Sequence, residues 1–121
     1  MIKFKKPELE QEFLMLDARL KVVAYAISGF VAQFSKNFTI TSIYRQNSAV
    51  HKDWRGFDGR TTNLADKESD ELIKFINEHI DYGDGKHFII NDERKAGSSK
   101  NWTAPHIHVQ VPPRDEVSLK T

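Results

Sequence analysis

Apolar residues recur at Phe13, Leu16, Leu20, Val23, Ile27, Phe30 and Phe34, at intervals alternating between three and four. That spacing lays one stripe along a helix and predicts about six turns of it. Pro7 suits its first turn, and Glu8, Glu10 and Glu12 favour the positive end of its dipole. Phe38-Thr-Ile-Thr-Ser-Ile-Tyr-Arg45 then changes to period two and is rich in β-branched and aromatic residues, which predicts a strand. From Gln46 to Asn63 the periodicity fades, and a loop with a short strand near Asp58 is expected. Leu72, Ile73, Ile76 and Ile80 restore helical spacing, from an N-cap at Asp66 to a turn at Tyr82-Gly-Asp-Gly85. His87 to Asn91 and His106 to Val111 predict two more strands, the last stopped by Pro112-Pro113.

These elements sum to one α+β domain over residues 1–121, with helices packed on one face of a small, mainly antiparallel sheet and a polar tail at 112–121. Lys95 to Thr103 is a polar Gly/Ser loop, a candidate site rim. The net charge is +1, from 18 basic and 17 acidic residues, so a whole-surface nucleic-acid or membrane binder is not expected. The N-terminus lacks the apolar core of a signal peptide, and the stretch Val22 to Val31 is too short to span a bilayer. The expectation is a chain that is cytoplasmic as synthesised and does not insert into a membrane. There is no cysteine. Disulfides, thiolate nucleophiles and sulfur-held metals are therefore excluded, and a metal would need His, Asp or Glu.

Two histidine signals carry the candidate chemistry. His51-Lys-Asp-Trp-Arg-Gly-Phe-Asp58 sets an imidazole and a carboxylate seven positions apart. His106-Ile-His108 puts two imidazoles on one side of a strand, while Ile107, Val109 and Val111 anchor the other side in the core. Together they offer two or three nitrogens and one oxygen, the ligand set of a catalytic zinc with an open position. Calcium or magnesium would want more oxygens. A histidine beside the metal and not on it can serve as general base. Trp54 and Trp102, close to the two signals, are candidates for a groove lining or for packing. His79 suits a helix C-terminus, and His87 has no partner motif.

On Thr41-Ser-Ile-Tyr-Arg45, His51 to Asp58 and Pro105-His-Ile-His-Val-Gln110, in that order, the sequence resembles the LAS-type zinc peptidases of the hedgehog/D-Ala-D-Ala-peptidase fold. The resemblance covers about residues 38 to 111. It implies His51, Asp58 and His108 as Zn²⁺ ligands, and His106 as catalytic base. It implies that Arg45 neutralises developing charge or holds a substrate carboxylate. Pro105 stands where many members carry an acidic base, so His106 is expected to do that work alone. Asp58 is followed by Gly-Arg-Thr in place of an apolar continuation. The implied activity is hydrolysis of peptidoglycan stem peptides or cross-links, in a phage endolysin released by a holin, a virion-associated lysin or a prophage-encoded protein. The alternatives are an inactive phage structural or peptidoglycan-binding module on the same fold, and a metal-dependent nuclease, which the near-neutral charge disfavours.

Overall fold

Period-two alternation sorts the central strands into an apolar side and a polar side, and the architecture follows from covering the first. The computed structural model describes residues 1–46, 48–99 and 102–114. Its elements run β1 (Ile2–Phe4), α1 (Pro7–Met15), α2 (Ala18–Ala32), β2 (Phe38–Ser42), α3 (Ala49–Lys52), β3 (Gly56–Arg60), α4 (Asp66–His79), β4 (Ile90–Glu93) and β5 (His106–Gln110). The five strands form one sheet in the order β1-β2-β3-β5-β4. β1 and β2 are parallel and the other neighbours antiparallel. The fold is α+β, with a mainly antiparallel sheet, as the pattern implied.

Phe38, Ile40, Phe57, Ile90, Ile107 and Val109 point to one side of the sheet and are almost wholly buried. Leu9 and Phe13 of α1, Leu20, Val23, Ile27 and Val31 of α2, and Leu72 and Ile76 of α4 close over them as one core. Gly59 belongs to this side. A Cβ there would lie 2.2 Å from the Phe38 ring, so only glycine lets that ring seat against β3. No helix among the described residues is long and apolar enough to cross a membrane.

Four local expectations need correction. The six-turn helix is two helices, α1 and α2, broken at Leu16 and Asp17. Leu16 is extended, Asp17 caps α2 by accepting from the Arg19 amide, and the Asp17 amide donates to the Trp54 carbonyl. The apolar stripe continues across the break because both helices face the same core. Ala65, not Asp66, is the N-cap of α4; the Glu68 carboxylate accepts its amide at 2.8 Å. The fourth strand begins at Ile90 rather than His87, since Asp84 takes the Lys86 and His87 amides into a turn. The Asn77 side chain then clamps both the amide and the carbonyl of Ile90. The loop from Gln46 to Asn63 contains, besides the expected strand, the four-residue helix α3. β1 was not anticipated: three residues are too few to display a period. The polar tail expected at 112–121 lies, from residue 115 onward, outside the described residues.

Candidate metal centre

The polar side of the sheet carries the candidate site residues. Asp58 on β3 faces His108 on β5 in register, so their side chains stand together on the uncovered face. His51 is brought in by α3. Ser48 caps that short helix by accepting the His51 amide at 3.4 Å, and Trp54 closes the segment in a left-handed conformation (φ 60°). Gly56 makes the approach possible: a Cβ there would lie 2.6 Å from Val50 Cγ1 and 3.2 Å from His108 Cε1. Loop, turn and glycine thus deliver a fully buried imidazole to the edge of a strand pair.

Three donor atoms converge. His51 Nε2 lies 3.3 Å from His108 Nδ1 and 3.4 Å from Asp58 Oδ1, and His108 Nδ1 lies 3.0 Å from Asp58 Oδ1. The outward nitrogens are committed elsewhere. His51 Nδ1–H donates to the Ile43 carbonyl, and His108 Nε2–H donates to Gln110 Oε1 at 3.2 Å. Gln110 is itself oriented by donating to the Phe88 carbonyl at 3.3 Å. Each ring therefore turns a lone pair inward, toward a carboxylate. Three acceptors this close repel one another, and a single shared proton relieves only one edge of the triangle. A cation relieves all three. Burial pushes the Asp58 carboxyl up, but once the two rings carry an inward proton their hydrogen bonds, from His108 and then His51, outweigh that and hold it below the usual carboxylate range. His51, Asp58 and His108 could hold a metal ion. Their ligand-to-ligand spacing suits it, since metal bonds of about 2.0–2.1 Å at tetrahedral angles set ligand atoms about 3.3 Å apart.

Asp58 and His108 line a polar cleft of about 480 Å³, and His51 stands behind them, fully buried. Arg45, His106, Glu93, Lys5, Arg60 and Ser48 are among the side chains that line it. Ser99 and Thr103, in the described part of the Gly/Ser loop, also line it, which gives that loop its rim position. Arg45 sits with Nη2 3.5 Å from Asp58 Oδ2, so it addresses the carboxylate oxygen that is not in the triangle. His106 does not stand alone. Its Nε2 lies 2.8 Å from Glu93 Oε1 and its Nδ1 2.7 Å from the Ala104 carbonyl. Glu93 faces His106 in register across β4 and β5, which supplies an acid where the linear pattern shows Pro105.

Sequence reasoning missed Glu93 because β4 was expected three residues too early. With the strand ending at Glu93, alternation alone would have put Asn91 and Glu93 on the histidine side. Neither tryptophan lines the cleft: Trp54 stacks on Tyr44 with centroids 4.9 Å apart, and Trp102 Nε1–H donates to the Glu93 carbonyl at 2.8 Å. His79 donates to the Phe75 carbonyl at the exposed end of α4, and His87 pairs with Asp84, both away from the cleft. Comparison with family models, curated proteins and solved structures finds no match to this chain.

Proposed function

We propose that this chain is a zinc-dependent peptidase that hydrolyses stem peptides or cross-links of bacterial peptidoglycan, of the LAS type and phage- or prophage-encoded. The observation that carries the reading is the inward-facing triangle of His51 Nε2, Asp58 Oδ1 and His108 Nδ1, with edges of 3.0–3.4 Å and both outer ring nitrogens tied down. Two neutral imidazoles and one carboxylate favour zinc over the oxygen-seeking cations. Bound there, zinc would polarise a carbonyl and make hydroxide available near neutral pH.

The remaining work falls to the chain's own residues. His106 and Glu93 hold one transferable proton on the Nε2–H···Oε1 line, and serve together as the acid–base pair. Ala104 fixes the other edge of the ring. Arg45 orients Asp58 through Oδ2, leaves Oδ1 in the triangle, and places a permanent cation where an oxyanion would develop. The open cleft leaves room for an extended peptide across the polar face of the sheet.

Elemental analysis of the purified chain beside a His51→Ala control tests the first half. About one zinc per chain, absent from the variant, is expected. Incubation with purified peptidoglycan and with a stem pentapeptide, each with and without chelator, tests the second half. Zinc binding without chelator-sensitive hydrolysis of either would overturn the activity and leave a binding module.

A further inference from the structure

Arg60 stands apart from the other arginines of the chain. The chain has six arginines. Five are paired with carboxylates: Arg19 and Arg114 with Asp17, Arg45 with Asp58, Arg55 with Asp53, and Arg94 with Asp70 and Asp92. Arg60 has no carboxylate partner among the described residues. It is nevertheless half-buried, and it lines the cleft. A cation withdrawn from water without a counter-ion is costly, so its persistence in a cleft points to a ligand that supplies the missing charge.

Position says which part of a ligand that is. Arg60 lies two residues beyond Asp58 on β3, on the same face, and opposite His106. Two residues of strand span about 7 Å, and an extended peptide advances about 3.4 Å per residue. A group held by Arg60 therefore lies one or two residues from the bond held at the triad. Lys5, exposed at the rim of the same cleft, adds a second positive charge on that side, with no carboxylate partner among the described residues. Thr41, Ser42, Thr62 and Thr103 make the rest of that wall hydroxylic rather than apolar.

We infer that the Arg60–Lys5 wing is a carboxylate subsite, set to hold a free carboxylate of the bound peptide one or two residues from the bond held at the triad. This rests on the peptidase reading above. A guanidinium seats a carboxylate through two parallel N–H donors, which a neutral amide cannot match.

Three peptides test it: a stem pentapeptide with a free glutamyl carboxylate and a free C-terminus, and the same peptide amidated at one or the other position. Each is titrated into the zinc-loaded full chain. Backbone amide shifts on β3 give Kd, and product in the same tubes gives turnover. We expect one of the two amidations to weaken binding about tenfold to a hundredfold. Arg60→Gln should bind all three peptides alike while keeping its zinc, and Lys5→Gln should lose part of the discrimination. Equal binding of all three peptides by the wild type, or discrimination that survives Arg60→Gln, overturns the subsite. Discrimination in binding with no turnover of any peptide leaves the subsite standing and removes the peptidase. Turnover without discrimination does the reverse.

Discussion

Two histidine clusters sit on one face of the same strand pair and are built on opposite principles. At His51, Asp58 and His108 the outer ring nitrogens are used up on Ile43 and Gln110, and every inward atom is an acceptor. At His106 both nitrogens face oxygens, those of Ala104 and Glu93, and no lone pair is left over. The first arrangement lacks a positive charge, and a cation could complete it. The second is already complete as a hydrogen-bonded pair and has a proton to hold or to pass. Imidazoles two residues apart on β5 thus differ in chemistry because of what β3, α3 and β4 set against them.

The largest expected effect is breakage of the acceptor triangle. His51→Ala removes a buried ligand, leaves the Ile43 carbonyl without its donor and opens a cavity. Zinc content should fall to background, and the metal-free protein should lose about 2–4 kcal/mol of stability. Elemental analysis and thermal melts with and without chelator read the two effects separately. Full zinc retention by this variant would mean that the triangle is not the site.

Breaking the other cluster should leave metal untouched. Glu93→Gln keeps the size of the side chain and removes its charge, so His106 loses an ionic acceptor while Asp58, His51 and His108 keep all their contacts. The expected outcome is unchanged zinc content and a kcat lower by about a hundredfold or more, with KM nearly constant. A loss confined to KM would make Glu93 a substrate contact and not part of the proton path.

Much of this contrast is legible in the sequence. Alternation in His106-Ile-His-Val-Gln110 put both imidazoles on one face, and the mostly period-two strands gave the α+β sheet. The metal set depended on resemblance, because nothing in the periodicity of residues 46–63 shows that α3 folds His51 back onto β3. That contact depends on a cap at Ser48, a left-handed Trp54 and the bare Cα of Gly56, all of them local and aperiodic. Glu93 was hidden by a strand start set by the Asn77 side chain, a tertiary clamp thirteen residues away. Helix α2 separated from α1 for a similar reason: the Asp17 amide is drawn to Trp54 across the molecule.

A smaller effect sharpens what holds the triangle in shape. Gln110→Leu removes the acceptor for His108 Nε2–H and leaves all three ligands in place. The ring is then free to turn or to shift its proton to Nδ1. Zinc affinity should fall about tenfold to a hundredfold, as for other outer partners of metal-bound histidines. Competition against a chromogenic chelator measures it. An unchanged affinity would show that packing alone sets the tautomer.

The smallest effect concerns acid, where a carboxylate outside the cleft serves as the reference for Asp58. Asp17 accepts from Arg19, which outweighs its burial and lowers it from 3.8 to about 2. A carboxyl lower in the folded state than in the unfolded chain stabilises the fold above the unfolded value, and that stabilisation is lost as the pH falls toward the folded value. Asp17 and Asp58 are both lowered, so between about pH 4 and pH 2 the unfolded chain binds more protons and stability should drop with pH. Asp17→Asn should cost about 1 kcal/mol at neutral pH and make the acid slope of the melting temperature shallower, without changing zinc content. Asp58→Asn should flatten the same slope and abolish zinc binding as well. If Asp17→Asn also lost zinc, the α1–α2 break, which is tied to Trp54 through the Asp17 amide, would be part of what positions α3, and the separation between scaffold and site would be narrower than the two clusters imply.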